Sequence, residues 1–418
     1  MQRKIVLVMK KLFTFACITI LCVSFARSEV YNGTCGANLN WSLNTADSIL
    51  VITGSGDMTD FGSSYAPWKS YSRNIKAVSF PNGLSSIGSR AFYDCLNLKS
   101  VAIPSGVTSI GDEAFDRCEN LASVTIPNSV TEMGSSVFAS CFSLPLEGGI
   151  RYADTYLVGV VNDFTKNTYS IKNGTRWIGT RAFVGCNNLA SIAIPNTVIS
   201  IEETAFSTCS ALASVVIPNS VVVIKDLAFN GCTALNSATV NSASVMGHDV
   251  FAGCSSLESV ILGDGVLSLG KYTFRDCGNL TSIQIGNQLS KIDEFAFYQC
   301  TSLSSINMPS TLSEIGMFAF SGCTGLSSIT CQAVDPPSLG LYVFFNVDKS
   351  IPLYVPNGSV PLYSHADQWE DFYNVQGLTT GLDDVVESSH LGNKVIQDGQ
   401  LYIMRNDLLY DAQGKLVK

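Results

Sequence analysis

Residues 97–118 read NLKSVAIPSGVTSIGDEAFDRC, and a recognisable form of this stretch recurs along most of the chain. In every copy that keeps the end of the stretch, a phenylalanine stands three positions before a cysteine, and the cysteines follow one another at intervals of 22 or 23 residues, with one interval of 45. They are Cys95, Cys118, Cys141, Cys186, Cys209, Cys232, Cys254, Cys277, Cys300 and Cys323. A fixed period of this length is typical of a repeat array, in which each turn buries its apolar side against its neighbours.

The first half of the repeat predicts a β-strand. Leu98, Val101 and Ile103 are spaced so that the last two point to one side of an extended chain, while the residue between them points to the other. Pro104 then ends the strand, because proline cannot donate a ladder hydrogen bond. Stacked turns would align these strands into a parallel sheet with one face open to solvent.

The second half of the repeat predicts a short helical turn. In residues 112–118, Phe115 and Cys118 stand three positions apart and therefore lie on the same side of such a turn, facing the core. The sequence thus predicts an α/β repeat solenoid with turns of about 23 residues. One face would carry the parallel β-sheet and the other the short helical turns.

The first 26 residues have the composition of a secretory signal peptide. Four basic residues precede an apolar stretch at 12–25, and small residues, Ser24 and Ala26, occupy the cleavage positions. The apolar stretch is too short to span a membrane as a helix. We therefore expect an exported protein that does not insert into the membrane once the signal is removed.

The charge of the chain excludes one class of partner. The formal net charge is −9, and loss of the four basic residues with the signal makes it more negative. Nucleic-acid binding requires a basic footprint, so no nucleic-acid partner is expected. Apolar residues make up 46% of the chain and charged residues only 14%, which predicts order over most of its length.

The cysteines of an exported protein usually form disulfides, but this spacing predicts otherwise. Equivalent positions in stacked strands lie about 4.8 Å apart with parallel side chains, whereas a disulfide needs converging Cβ atoms about 3.8 Å apart. We therefore predict a column of buried, reduced thiols that act as small apolar residues.

The chain divides into an array and its flanking segments, because the terminal turns of a solenoid need caps over their exposed cores. The predicted segments are a signal peptide at 1–26, an N-terminal cap at 27–75, the solenoid at 76–331 with a hairpin insertion at about 147–168, a C-terminal cap at 332–378, a linker at 379–393 and a small β segment at 394–418. The hairpin replaces a missing phenylalanine and cysteine in the 45-residue interval and is predicted to protrude.

The two caps are predicted to differ in structure. The N-terminal cap is expected to be β-rich, and the C-terminal cap mixed, with a strand at 351–355 and a short helix at about 366–373. Trp41, Trp68 and Trp369 are assigned to the cores of the caps, since an isolated tryptophan in a cap is more often core than a ligand platform.

The repeat pattern I-P-x-x-V-x-x-I-G-x-x-A-F-x-x-C-x-x-L resembles the BspA-type leucine-rich repeats of bacterial surface proteins, over about residues 76–331. This resemblance implies a leucine-rich repeat fold. It implies no single activity, because members of the family are adhesins or surface proteins without an assigned role.

The last 25 residues contain three short predicted strands and resemble the C-terminal sorting domain of Bacteroidetes-type bacteria. That resemblance implies an extracellular or outer-surface protein of a Gram-negative bacterium of this type. The alternative is a small structural β module without a sorting role.

The sequence offers no enzymatic site and no cofactor or metal site. The three histidines, His248, His365 and His390, fall in a repeat loop, the C-terminal cap and the linker, too far apart in the predicted fold to share a metal. Acidic pairs at 112–113, 202–203 and 293–294 recur at one place in the repeat. They are interpreted as a solvated surface and not as paired catalytic carboxylates.

The open strand face is the predicted binding surface. A serine precedes the central apolar residue of nine strands and is interpreted as a packing requirement, while the residue after the central one varies from turn to turn. Together with two hairpin tyrosines, the polar members of this variable column form the candidate partner-binding face. It comprises Thr125, Thr239, Gln284, Asn307, Thr330, Tyr152 and Tyr156.

A long, uncharged and nearly flat face of this kind suits an extended protein partner bound by many weak hydrogen bonds. The sequence therefore predicts a monomeric secreted or cell-surface binding protein that adheres to host or neighbouring-cell proteins. Two alternatives stay open, a glycan-binding module and a structural surface-layer component. A glycan-binding face would need solvent-facing aromatic residues, and the strand columns at 76–331 hold none.

Overall fold

The computed structural model describes residues 29–62, 64–161 and 165–378, and the backbone of strands at 394–397, 400–405 and 408–410. The predicted signal peptide and linker lie outside these residues. The chain divides into two compact units. Unit 1 comprises residues 1–163 and 174–182, and unit 2 comprises residues 164–173 and 183–418.

Strands dominate the described residues. In chain order they are β1 Val30–Gly36, β2 Leu39–Asn44, β3 Ile49–Asp57, β4 Ala77–Ser79, β5 Gly83–Ile87, β6 Ser100–Ala102, β7 Ser109–Ile110, β8 Ser123–Thr125, β9 Glu132–Met133, β10 Leu146–Glu147, β11 Ile150–Ala153, β12 Tyr156–Val160, β13 Thr168–Ser170, β14 Trp177–Ile178, β15 Ser191–Ala193, β16 Ser200–Ile201, β17 Ser214–Ile217, β18 Val223–Ile224, β19 Ser237–Val240, β20 Val245–Met246, β21 Ser259–Leu262, β22 Ser268–Leu269, β23 Ser282–Gln284, β24 Lys291–Ile292, β25 Ser305–Met308, β26 Glu314–Ile315, β27 Ser328–Cys331, β28 Ser338–Leu339, β29 Pro352–Pro356, β30 Asn374–Leu378, β31 Lys394–Gln397, β32 Gln400–Arg405 and β33 Leu408–Tyr410. Two 3₁₀ helices span Lys69–Asn74 and Asn357–Ser359, and one α-helix, α1, spans Val360–Tyr363.

Unit 1 begins with an antiparallel sheet and continues as a parallel solenoid. Strands β1, β2 and β3 form the antiparallel part, and β3 then pairs in parallel with both β4 and β5. The predicted β-rich cap is confirmed in this respect. Trp41 and Trp68 are buried, as predicted, and their ring centroids lie 5.7 Å apart. The Trp68 indole N–H donates to the carbonyl of Ala91 at 2.8 Å, which ties the cap to the first repeat turn.

Unit 2 is a solenoid in which each regular turn contributes two strands. The first strands form the parallel ladders β17-β19-β21-β23 and β25-β27-β29-β30, and the second strands form β16-β18-β20 and β22-β24-β26-β28. The fold class predicted from the sequence, a leucine-rich repeat solenoid with one parallel sheet, is confirmed. The second ladder was not predicted, because its strands are only two residues long and carry no alternation to detect.

The turn that carries the phenylalanine is not helical, which corrects one part of the predicted fold. Glu113 and Arg117 have φ angles of 53° and 61°, so left-handed residues flank Phe115 and no helix can form. The N–H of Phe115 instead donates to the carbonyl of Val137 in the next turn, at 2.9 Å. This segment therefore forms hydrogen bonds with the next turn, as a strand does with its neighbour.

The phenylalanine and cysteine ladders form the core, as predicted. Within unit 2 the stacked rings from Phe183 to Phe344 have centroids 4.9–5.6 Å apart. The twelve described cysteines are buried free thiols. The thiol of Cys209 donates to the carbonyl of Phe183 at 3.1 Å, and most other cysteines of the array repeat this bond. The cysteine therefore links successive turns as well as filling space.

The hairpin of unit 1 does not protrude. Strands β11 and β12 are antiparallel, as predicted, but β12 also pairs in parallel with β14 and so belongs to the solenoid wall. Tyr152 and Tyr156 are only 1% and 2% exposed. The Tyr156 ring packs edge-on against Phe138 at 5.6 Å, where the next phenylalanine of the ladder would stand. The insertion thus replaces the missing aromatic of the repeat.

The 22-residue interval between Cys232 and Cys254 has its missing residue between residues 241 and 245. Ile217 pairs with Val240 at a separation of 23, whereas Ile224 pairs with Met246 at a separation of 22. The missing residue therefore falls in the loop between β19 and β20. The loop absorbs the deletion, so that both ladders keep their register.

The residues assigned to the C-terminal cap continue the repeat. Residues 338–347 form another turn, in which Phe344 stacks on Phe320 at 5.6 Å. The predicted strand at 351–355 is present as β29, and Trp369 is buried as predicted. The predicted helix at 366–373 is wrong, since α1 lies at 360–363, where Pro361 occupies its first turn. Proline fixes the φ angle that a helix start requires.

The three strands predicted in the tail are present. Strands β31, β32 and β33 form an antiparallel sheet in that order. A sorting role for this sheet is a separate question from its fold.

Candidate functional site

The variable column of unit 2 faces solvent because of strand alternation. In β17, Val215 and Ile217 are 2% and 0% exposed, whereas Val216 between them is 59% exposed. The same alternation recurs in β25, where Ile306 and Met308 are buried and Asn307 is exposed. In each turn, the position between the two buried residues therefore places its side chain on the open face, where the residue type is free to vary.

The structure separates the predicted face residues into groups. Thr239 aligns with Ile261 and then Gln284 along one ladder of unit 2, and Asn307 aligns with Thr330 along the next. Thr239 and Thr330 are half-buried, while Gln284 and Asn307 are exposed. The remaining strand-face member, Thr125, is exposed on β8 of unit 1.

Two of the predicted face residues do not belong to the surface. Tyr152 and Tyr156 fill the core of unit 1, so neither is available to a partner. The sequence predicts a protruding hairpin here because the repeat lacks its phenylalanine, which indicates a break in the core. The tyrosines instead close that break.

The face extends further than the sequence indicated. Thr330 aligns with Tyr354 of β29, which aligns with Gln376 of β30. Tyr354 is partly exposed and Gln376 exposed. Both were missed because residues beyond 331 were assigned to a cap, although the alternation of Leu353, Tyr354 and Val355 is the signal that would have found them.

The strand face of unit 2 contains an open groove of about 760 Å³. Its floor is made by β15 and β17, with Ala193 and Val216 at the variable positions. Asn196, Asn219 and Asn241 contribute amide groups to its rim. Asp, Glu, Lys and Arg are absent from the residues that line it, so the groove is uncharged but rich in hydrogen-bonding groups.

The groove lies at an interruption of the parallel sheet. Strand β15 pairs with β13, and β17 pairs with β19, but within the described residues β15 and β17 share no ladder. Ile192 and Ile194, which occupy core positions, are accordingly half-buried and line the groove. The repeat pattern of the sequence is unbroken here, so sequence reasoning had no signal for this opening.

The chemistry of the core cysteines is that of inert thiols. Burial raises the pKa of Cys186, Cys277 and Cys323 to about 12. Burial, together with a hydrogen bond to the Cys141 thiol, raises the pKa of Cys118 well above its ordinary value. Thiolate is the form that attacks electrophiles and binds metals, so these side chains are protonated at neutral pH and serve packing.

One acidic pair differs from its predicted role. Glu202 is 1% exposed, accepts a hydrogen bond from the Ser200 hydroxyl at 2.7 Å and forms an ion pair with Lys225. It is thus a buried, paired carboxylate and not part of a solvated surface. Glu113 and Glu294 lie nearer the surface and pair with Arg90 and Lys271.

Metal-ligand clusters and membrane-spanning helices are absent from the part of the chain that the structure describes. No cluster of three or more His, Cys, Asp and Glu side chains in it is arranged to hold a metal ion. No helix within the same residues has the length and apolarity needed to cross a membrane.

Comparison with known families gives a match over most of the solenoid. Residues 70–146, 162–278 and 267–366 match the BspA type Leucine rich repeat region, in six copies. No curated protein matches the chain at a significant level.

Several solved structures resemble the chain. A leucine-rich repeat protein from Eubacterium ventriosum is 24% identical with a TM-score of 0.40, over 70% of this chain and 95% of that one. A leucine-rich cell surface protein from Faecalibacterium prausnitzii is 23% identical with a TM-score of 0.31, over 87% and 98%. The pneumococcal vaccine antigen PcpA is 14% identical with a TM-score of 0.31, over 84% and 99%.

The family match covers well over half of the chain, and its residues coincide with the ladders of phenylalanine and cysteine described above. The chain therefore belongs to the BspA-type leucine-rich repeat family.

Proposed function

We propose that this protein is an exported cell-surface binding protein that holds an extended polypeptide on the strand face of unit 2, and that it serves adhesion to host or neighbouring-cell proteins. The observation that carries this proposal is the open, uncharged groove over β15 and β17. A leucine-rich repeat scaffold is compatible with protein binding, since repeat arrays present extended surfaces of this kind.

The chemistry of the groove favours a polypeptide over a charged ligand. Its asparagine and serine side chains can both donate and accept hydrogen bonds, as a peptide backbone requires. Ile192, Ala193 and Val216 offer apolar contacts for an inserted side chain. A phosphorylated or strongly ionic partner would find no countercharge among the lining residues.

A glycan is the second candidate, and one observation favours it. Tyr354 is an aromatic residue of the strand face that is partly exposed, and Gln376 lies beside it in register. An aromatic ring next to an amide is a common arrangement for a sugar. A single such ring, however, is a smaller feature than the groove.

Export and surface attachment complete the proposal. They rest on the signal-peptide pattern of residues 1–26 and on the resemblance of the tail to a Bacteroidetes-type sorting domain. Deletion of residues 392–418 should abolish surface display, measured by labelling intact cells. Continued display of the truncated chain would remove the sorting role while leaving the binding proposal intact.

The binding proposal is tested with a groove-filling variant. The full chain is immobilised and screened against unfolded polypeptides, native matrix proteins and a glycan array. Ala193→Trp places a large ring in the groove and should weaken polypeptide binding at least tenfold. Ala102→Trp is the matched control, because Ala102 is the exposed alanine at the same repeat position in unit 1.

Reproducible polypeptide binding that is lost only in Ala193→Trp supports the proposal. Equal binding by both variants would show that the groove is not the site. Binding to glycans alone would replace the proposal by the second candidate, and Tyr354→Ala should then abolish it.

A further inference from the structure

A stripe of aromatic side chains runs along the turn side of unit 2, opposite in the repeat to the strand face. Tyr272, Phe295, Phe318 and Tyr342 occupy the position two residues before the core phenylalanine in four consecutive turns. Their ring centroids are 5.0, 5.1 and 5.3 Å apart, which makes a continuous stack about 15 Å long. We call these four residues the aromatic stripe.

The repeat fold does not require aromatic residues at this position. Seven other turns hold non-aromatic residues there, with φ angles between 53° and 59°. These are Arg90, Glu113, Ser136, Arg181, Thr204, Leu227 and Asp249. The stripe residues have the same conformation, with φ angles of 55–61°. The left-handed backbone therefore belongs to the turn itself, and the aromatic side chains are a separate feature of these four turns.

The stripe is open to solvent at its C-terminal end. Tyr342 is 58% exposed, and Leu341 and Phe345 beside it are 65% and 51% exposed. The ring of Phe345 packs edge-on against Tyr342, with centroids 6.2 Å apart. A contiguous group of large exposed apolar side chains on a soluble surface marks a place that another surface covers.

The geometry of the stack limits what can cover it. The faces between successive rings are occupied by stacking, Phe345 packs edge-on against Tyr342, and the guanidinium of Arg275 lies over Tyr272 at 4.8 Å. The rings therefore present mainly their edges to solvent. A sugar stacks on an aromatic face, so a glycan fits this surface poorly, whereas an apolar sheet or side chain packs well against ring edges.

The C-terminal sheet of the same chain needs a surface of this kind. The sequence of β32 holds four successive apolar residues, at 401–404. Such a run supplies apolar residues to both faces of a strand, because neighbouring residues alternate between them. So small a sheet needs a packed apolar face for stability in water.

The position of the aromatic stripe and the length of the segment at 379–393 allow the C-terminal sheet to reach the stripe. The stripe occupies the turns nearest to the point where the chain leaves the solenoid, at the end of β30. The 15 residues between 379 and 393 could span about 50 Å if fully extended. For comparison, the mean end-to-end distance of a random-coil chain of this length is about 20 Å, close to the length of the stripe. Tethering at this distance gives an effective concentration in the millimolar range.

We infer that the aromatic stripe is the docking surface for the chain's own C-terminal sheet, β31–β33. The turn side of unit 2 then holds the tail, and the strand face stays open for a partner. This inference does not rest on the proposed function, because it concerns the opposite side of the repeat. It also gives the stripe a reason to be confined to the last turns.

Hydrogen exchange of the full chain, followed by mass spectrometry, tests the inference. The stripe variant carries Phe295→Ser, Phe318→Ser and Tyr342→Thr, which are residue types that other turns hold at this position. We expect the amides of β31–β33 to exchange at least tenfold faster in this variant than in the wild type. The control variant carries Val216→Ser and Ile261→Ser, two exposed apolar residues of the strand face, and should leave that exchange unchanged.

Two further measurements distinguish loss of docking from loss of the solenoid fold. Amides of the core turns, such as that of Phe206, should keep their protection in the stripe variant, which shows that the solenoid is folded. The single change Tyr342→Thr, at a half-exposed side chain, should give a smaller acceleration in the same strands. Equal exchange of β31–β33 in the wild type and both stripe variants would overturn the inference. So would protection that depends on protein concentration, since a second copy would then be the partner.

Discussion

Units 1 and 2 contain the same repeat turn but carry different side chains on its exterior. In unit 1 the position two residues before the core phenylalanine holds Arg90 and then Glu113, which form a two-pronged ion pair at 2.9 and 3.0 Å. In unit 2 the same position holds Phe295 and then Phe318, which stack at 5.1 Å. All four residues have nearly the same left-handed φ angle. The backbone of the turn is therefore fixed by what lies beneath it, and the exterior position is free to serve another purpose.

The core residues beneath this exterior position are phenylalanines in both units. Phe92 and Phe115 stack at 5.1 Å in unit 1, as Phe206 and Phe229 do at 5.0 Å in unit 2. The comparison of the two units indicates that the phenylalanine and cysteine ladders determine the fold. The side chains on the turn side and on the strand face determine which partners the protein contacts. The predictions below test that division.

The largest effect is expected in the ladder itself. Phe206→Ala removes a fully buried ring that contacts a ring on either side, so it should lower the free energy of unfolding by about 3–5 kcal/mol. Phe206→Leu, which keeps most of the volume, should cost clearly less. Denaturant titration of the full chain measures both. A loss below about 1 kcal/mol for the alanine variant would show that the ladder is not what holds the turns together.

Alkaline pH should weaken the core through its thiols. The pKa of Cys277 is raised by burial to about 12 in the folded chain, whereas an unfolded cysteine titrates near about 8.5. The stabilising contribution is therefore complete below about pH 8.5 and is lost as the pH rises toward 12, by about 1.4 kcal/mol per pH unit. Unfolding free energies measured from pH 8 to 11 should fall less steeply in Cys277→Ala than in the wild type. Equal slopes would mean that this thiol is not buried.

The aromatic position of unit 2 should contribute less than the ladder. Phe295→Ser removes two stacking contacts at a partly exposed site, so the expected loss is about 1 kcal/mol, with no dependence on salt. Thermal unfolding in low and high salt provides the measurement. A loss equal to that of Phe206→Ala would contradict the division between core and exterior.

The charged position of unit 1 should differ in its response to salt. Glu113→Ser removes the ion pair with Arg90, and salt screens such surface pairs. We expect a decrease of at most about 2 °C in Tm at low salt, and almost none at high salt. A salt-independent decrease would indicate that Glu113 acts through packing.

The smallest effect is expected on the strand face. Gln284→Ala and Thr330→Ala change residues that point away from the core, so each should alter the free energy of unfolding by less than about 0.5 kcal/mol. Denaturant unfolding checks this as well. A larger loss would show that the variable column contributes to the fold and is not free to vary for binding.

Much of the fold could be predicted from residue spacing alone. The interval of 23 residues identified the buried columns of phenylalanine and cysteine, and the interval of 22 residues between Cys232 and Cys254 identified the turn that is one residue short. These predictions succeeded because a core position is occupied by one residue type in every turn. The same regularity hides any feature in which the backbone departs from the repeat.

The errors follow from that limit. Helical turns were expected because Phe115 and Cys118 have helical spacing, but the left-handed residues beside Phe115 are set by hydrogen bonds to the next turn, which no spacing reveals. Tyr152 and Tyr156 were placed outside because the interrupted repeat gave no sign that tyrosine fills the gap. The groove at Ala193 lies where β15 and β17 share no ladder, and the sequence pattern is unbroken there.

The central claim is that the core of the turns specifies the fold and the groove of unit 2 specifies binding. Ala193→Trp tests it most directly, when one sample is measured both for unfolding free energy and for affinity to an immobilised unfolded polypeptide. We predict an unfolding free energy within about 1 kcal/mol of the wild type together with at least a tenfold loss of affinity. Unchanged affinity in a folded variant would contradict the claim.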